Sequence, residues 1–391
     1  GAAKHQRVRL HAVNGLGEEL ADMNGTRMMR MSPPCGETRR EFLWEAGGGF
    51  AGMALSSMLT DDGFFGETAT ADDSLNPKPS HQSRPTKACI CLFMYGGPSQ
   101  VDLFDPKPML TKYHGKTMPG IDKDRLFKVR NPGKLLGSSR QFPQHGESGL
   151  PISDLFPNLA RHADDIAVLR SCYADSFAHG SGMLQMNTGM VRQGYPSLGS
   201  WAVYGLGSEN QNLPGYVVML DHRGGPINGP PNWSSGFMPA SFQGTQFRTS
   251  GEPILNLQPP ASVTAAQQRQ QLDLLKRFNQ KYSATSPGNT DLKARIASYE
   301  LAFRMQAHAP EAVDLSQESQ QTQKLYGLDN PRTEKFGRRC LLARRLVERG
   351  VRFVQVYSGG GHGDNTWDAH GDVNKNHEKH CGATDLPMAG L

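Results

Sequence analysis

The sequence predicts an α/β protein: a doubly wound, mostly parallel sheet with helices on both faces. Three observations carry that expectation. Short apolar runs at 88–95 (A-C-I-C-L-F-M-Y), 166–170, 215–220 and 351–357 have the length and composition of buried strands. Helical segments at 263–282, 291–306 and 333–349 alternate with them. Each apolar run opens into a loop rich in Gly, Ser, His or Asp, which is where open α/β sheets bind ligands.

Thr38 to Trp44 reads T-R-R-E-F-L-W, and a glycine-softened apolar run follows at 46–59. Paired arginines, Arg39 and Arg40, ahead of Phe-Leu and a short apolar segment form a twin-arginine export signal. The run is too short to cross ~30 Å of hydrocarbon, so no stable membrane span is expected. Ala69-Thr70-Ala71 offers a small-x-small cleavage site. Residues 1–37 are therefore expected to be a disordered leader, 38–71 the signal peptide, 72–87 a polar, proline-rich linker, and 88–391 the folded domain. The twin-arginine translocase is the implied partner, and the destination is the periplasm or beyond.

Within the domain, 88–95 reads as a strand buried on both faces and ends at Gly96-Gly97-Pro98. A short helix is expected at 154–163 with Ser153 as N-cap. Residues 223–261 have no sustained period and read as a long loop. The helix at 291–306 carries the stripe Leu292, Ile296, Tyr299 and Phe303. Gly350 closes the helix at 333–349. The final T-D-L-P-M-A-G-L looks like the start of a helix, so the chain is expected to continue beyond Leu391.

Composition narrows the function. Apolar residues make up 37% and charged residues 20%, the balance of a globular protein. The net charge of +5 is inflated by the leader, and no basic stripe interleaved with aromatics follows Ser74, so nucleic acid is not an expected partner. None of the six cysteines forms a C-x-x-C pair, which excludes zinc ribbons and thioredoxin-like motifs. Cys89 and Cys91 share a strand face and are expected as small core residues.

Three loops could carry chemistry. Residues 359–385 hold His362, His370, His377 and His380 among Asp364, Asp368, Asp372 and Asp385. Imidazole mixed with carboxylate suits zinc, manganese or iron, and carboxylates alone suit calcium or magnesium. Asp368 and His370 fall on one face of an extended segment, and His377 and His380 on one helix face. Asp368, His370 and His380, then Asp385, are the expected ligands of a divalent metal (zinc, calcium or manganese), with His377 and Asp364 left to solvent. The second loop, 175–189, offers Ser176, His179 and Ser181 in a glycine-flanked turn before a helix. The third, 96–108, offers Ser99 and Gln100 as contacts to an anion, with Asp102 and Asp105 as ligands or turn residues. The loops at 97–105, 175–181 and 362–385 are expected to converge at one sheet edge.

Together, L-F-M-Y-G-G-P-S-Q-V-D-L-F-D-P-K-P, H-G-S-G-M-L-Q-M-N-T-G, P-S-L-G-S-W-A-V-Y-G-L-G, W-D-A-H-G and H-C-G-A-T-D-L-P closely resemble an exported bacterial family, domain of unknown function number 1501, of the planctomycete type. The resemblance covers 38–391. That family is similar to the alkaline phosphatase and sulfatase superfamily, which cleaves phosphate or sulfate esters at metals on the carboxyl edge of a doubly wound sheet. The resemblance implies a metal-dependent hydrolase acting on an anionic small-molecule or glycan ester, with polysaccharides among the carriers. The alternative it leaves is a non-catalytic anion- or glycan-binding protein that kept the fold and lost the nucleophile. The superfamily nucleophile precedes a helix ending in Thr-Gly. Counting back from Thr188-Gly189 places His179 near that position, with Ser176 and Ser181 on either side as catalytic candidates. The superfamily's metal-binding Asp after strand one is replaced here by Gly96-Gly97, and its later ligand segments are expected beyond Leu391.

Overall fold

The strongest apolar runs do become neighbouring strands. A computed structural model describes residues 75–78, 86–118, 133–249, 251–255, 257–260, 262–285 and 290–391. The signal peptide, with Arg39 and Arg40, and most of the linker lie outside the described residues. Four strands, β1 (Cys89–Met94), β4 (Tyr216–Met219), β5 (Thr245–Phe247) and β6 (Phe353–Ser358), pair in parallel in the order β1-β6-β4-β5. The short antiparallel pair β2 (Gln144–His145) and β3 (Leu150–Pro151) stands apart. The helices are α1 (Pro108–Lys112), α2 (His179–Thr188), α3 (Leu198–Leu206), α4 (Ala265–Ala284), α5 (Thr290–Val313), α6 (Gln320–Leu325), α7 (Glu334–Glu348) and α8 (Val373–Gly390). The protein is thus α/β with a four-stranded parallel sheet, compatible with a Rossmann-like arrangement.

Strand periodicity divides the core. Val217, Met219, Val354 and Val356 face α5 and α7, where Met305, Ala309, Leu341 and Leu346 bury them. The alternate residues Tyr216, Val218, Phe353 and Tyr357 face α2 and α3 through Met183 and Val203. Burial on both faces explains why β6 reads as an unbroken apolar run, except for Gln355. Gln355 is satisfied inside the core: its amide donates to Asn187 Oδ1 at 2.6 Å and to the Tyr357 hydroxyl at 2.9 Å, and it accepts from Tyr216. This relay ties α2 to the central strand and so holds the helix that begins at His179. A third cluster, with Leu103, Phe156, Ala160, Trp367 and Cys381, packs beneath α8.

Several expectations are corrected. β1 is an edge of the described sheet rather than a doubly buried strand, and Cys89 is exposed. Residues 166–170 pair with no strand, and Leu169 is exposed; this apolar run leads away from a 3₁₀ turn, Leu159–Asp165, that replaces the expected helix. The long loop contains β5, which was invisible because its anchors Trp233, Met238, Phe242 and Phe247 are too widely spaced to set a period. T-D-L-P-M-A-G-L lies within α8, which opens at Val373, and does not open a helix of its own. Among the described residues, no helix is long and apolar enough to cross a membrane.

Candidate functional site

The carboxyl ends of β1, β4 and β6 are knitted together by backbone bonds. Tyr95 N–H donates to Ser358 C=O at 2.8 Å, and Trp367 N–H donates to Tyr95 C=O at 2.8 Å. The W-D-A-H segment therefore lies directly over the end of β1. Trp367 is fully buried beneath it, its indole N–H donating to Ser358 Oγ at 3.2 Å. Its ring stacks on His380 at 5.0 Å and meets His377 edge-on at 5.7 Å. With Trp367 turned inward, Asp368 and His370 are left on the accessible side.

Gly96 makes this approach possible. Its φ is +111°, and a Cβ there would sit 2.7 Å from Asp368 N and 2.8 Å from Thr366 Oγ1. Asp368 N–H in turn donates to Thr366 Oγ1 at 3.1 Å. The missing side chain of Gly96 is thus the space into which the Asp368 segment packs.

His179 is the first residue of α2, and its Nε2 lies 2.9 Å from Asp368 Oδ2. His370 Nε2 lies 2.7 Å from the same oxygen. Ligand atoms of His179, Asp368 and His370 all lie within 4.8 Å of one another, and among the described residues no other group of three or more His, Cys, Asp or Glu does so. The side chains are 44%, 27% and 82% exposed, so the group faces open solvent. Two imidazoles and one carboxylate so arranged have the spacing and chemistry to hold one divalent ion.

The structure does not bring His380 or Asp385 to this group. His380 is buried on the inner face of α8 between Trp367 and Arg223, with Nδ1 3.5 Å from Arg223 Nη1. Burial, reinforced by Arg223, pushes its pKa down to about 4. The Asp385 carboxylate accepts Leu159 N–H at 2.8 Å, Asn158 N–H at 3.0 Å and Asn158 Nδ2 at 2.6 Å, capping the 3₁₀ turn. His377, expected in solvent, is buried beside it on the same helix face and accepts Ser99 N–H at 2.8 Å. Burial holds its pKa below the usual value. Asp364 is exposed, as expected.

The smaller candidates sit nearby. Ser99 Oγ donates to Asp102 Oδ2 at 2.6 Å, while Gln100 is exposed and its carbonyl closes the following turn. Asp102 also accepts from Ser138 at 2.5 Å, and Asp105 pairs with Lys107 at 2.7 Å. Ser176 Oγ accepts Ala178 N–H at 3.2 Å just before α2, and Ser181 lies half-buried in its first turn.

Sequence reasoning missed Asp221, two residues past β4. Its side chain is fully buried, and it accepts from Arg223 Nε at 2.7 Å, Arg339 Nη2 at 3.2 Å and Gly359 N–H at 3.0 Å. Burial alone would raise its pKa, but the Arg223 bonds and the Arg339 charge outweigh it and hold the carboxyl below the usual range. The signal was present: D-H-R-G-G follows an apolar strand just as the other polar loops do.

An α/β protein with a His–Asp–His group at the carboxyl edge of a parallel sheet is the class that fold and geometry define. Residues 86–391 match the family described as Protein of unknown function (DUF1501), and the chain belongs to that family. No curated protein and no solved structure matches the chain.

Proposed function

We propose that this protein is an exported, metal-dependent hydrolase of sulfate or phosphate esters on an alkaline phosphatase/sulfatase-like fold, with glycan esters among its substrates. The observation that supports the reading is the meeting of His179, Asp368 and His370, with both Nε2 atoms within 2.9 Å of Asp368 Oδ2. The donor set fits a divalent ion, and its imidazoles favour zinc or manganese over calcium. Bound there, such an ion would supply charge neutralisation for an ester oxyanion and lower the pKa of water. The protein's own contribution is positioning. Asp368 orients both imidazoles, Gly96 lets the Asp368 backbone seat on β1, and the Gln355–Asn187 bond holds α2 and therefore His179. Ser176 and Ser181 flank His179, where a hydroxyl can donate to an ester oxygen.

One observation favours a second reading, a non-catalytic anion- or glycan-binding protein. His179, near the nucleophile's expected place, is engaged with Asp368 rather than standing free. Metal content of the purified full chain and turnover on a panel of aryl sulfates and phosphates separate the two. The hydrolase reading expects about one transition metal per chain, lost in His179→Ala/His370→Ala, together with turnover. Bound metal without turnover would favour the binding protein, and a metal-free chain would sink the metal reading. Export rests on Arg39-Arg40 and the twin-arginine translocase.

A further inference from the structure

Beside the loop that follows β6 lies a cleft of about 270 Å³ whose lining includes Asp221, Arg223, Arg332, Lys335, Arg339 and Lys379. Its charges do not balance. Asp221, the one carboxylate of the lining, is saturated by Arg223, Arg339 and Gly359 N–H. Arg339 donates further to the carbonyls of Leu220 and Tyr357, both at 2.7 Å, and through Nε to that of Lys335 at 3.1 Å. Arg332 donates to Glu378 C=O, and Lys379 Nζ donates to Asp364 C=O at 2.7 Å. Those carbonyls orient the cations without cancelling their charge. Among the described residues, no carboxylate forms an ion pair with Arg332, Lys335 or Lys379. Five cations against one carboxylate leave an excess of four positive charges in a space a small ligand would fill.

We propose that this cleft binds a phosphate or sulfate group, at a site separate from His179, Asp368 and His370. Crowded cations repel, and a multiply charged oxyanion relieves that repulsion while accepting from the guanidinium and ammonium donors. Arginine forks suit paired oxygens, and lysine adds a point charge. The cleft lies near the small end of ligand pockets, about 300–1,000 Å³, and admits the anion with a modest organic group. Gly382 on α8 adds a geometric requirement, because a Cβ there would overlap the Arg332 guanidinium. The proposal does not depend on the metal reading.

Calorimetric titration of the full chain at low ionic strength, with inorganic phosphate, inorganic sulfate and glucose 6-phosphate as probes, tests it. Saturable one-site binding is expected, weakened at least about tenfold in Arg332→Gln/Lys335→Gln. Gly382→Ala, which keeps every charge and favours the helix, should weaken binding several-fold by displacing Arg332 while the protein stays folded. His179→Ala/His370→Ala should keep the wild-type affinity. Tighter binding of glucose 6-phosphate than of phosphate supports the site with an organic ester as its ligand, and the reverse order supports it with the free ion. Absence of saturable binding, indifference to Arg332→Gln/Lys335→Gln, or loss of binding in His179→Ala/His370→Ala would overturn the proposal.

Discussion

Replacing Gly96 by alanine tests how fold and site are joined, because two separable costs meet at that residue. The first is conformational. Gly96 and its neighbour Gly97 have φ of +111° and +79°, where a side chain costs about 1–3 kcal/mol. The second is steric and belongs to Gly96 alone. Its Cβ would meet Asp368 N at 2.7 Å and Thr366 Cβ at 2.9 Å, whereas a Cβ on Gly97 meets no heavy atom within 4 Å. The Asp368 segment has little freedom to retreat, since Trp367 N–H is bonded to Tyr95 C=O and the indole is fully buried. Overpacking of this kind costs a further ~1–3 kcal/mol. Urea unfolding should therefore show Gly96→Ala less stable than Gly97→Ala by at least about 1–3 kcal/mol, since both carry a positive-φ cost and only Gly96 adds the clash. Zinc titration supplies a second readout. Displacing Asp368 should weaken affinity about 10–100-fold in Gly96→Ala, the usual cost of disturbing a group that orients a ligand, and leave Gly97→Ala near wild type. Equal stability losses, or an unchanged zinc affinity in Gly96→Ala, would refute the reasoning.

Three further outcomes are expected. Asp385→Ala leaves three donors without their buried carboxylate acceptor and should cost about 2–4 kcal/mol in urea unfolding, with zinc stoichiometry unchanged; loss of the metal instead would return Asp385 to the ligand set. His380 has a folded pKa of about 4, so its contribution to stability is complete above the unfolded value near 6.5 and disappears as pH falls through the folded one. The loss amounts to about 3 kcal/mol at most, with buried His377 acting in the same direction, and His380→Gln should flatten this acid limb in unfolding curves measured from pH 7 to 4. Arg39→Lys with Arg40→Lys should hold the protein in the cytoplasm, because the guanidinium pair rather than charge alone is read; fractionation showing normal export would remove the signal assignment.

Local pattern determined much of this protein. A central strand buried on both faces must be apolar throughout, so β4 and β6 announce themselves as runs, whereas the stripe expected on α5 leaves Tyr299 exposed and Met305, Ala309 and Ala312 carry that helix into the core. Period two predicted Asp368 and His370 on one side of an extended segment. The carboxyl-edge rule was applied to His179 through a strand at 166–170 that does not form, so the approach of His179 to Asp368 belongs to the tertiary structure. Tertiary structure decided which polar residues share an oxygen and which are buried scaffolding. His370 and His380 look equivalent in sequence, yet one faces solvent and the other is stacked beneath Trp367, because α8 turns its 377–380 face toward the sheet edge. Asp385 and Asp368 are equally acidic, but only the contact of α8 with the 3₁₀ turn at Leu159–Asp165 makes Asp385 a cap. Edge or centre position is likewise a property of strand order, which is why β1 and β6, similar in composition, differ in burial. Asp221 with Arg223 and Arg339 needed the fold most of all: more than a hundred residues separate Asp221 from Arg339, and pairing over that distance leaves no local period.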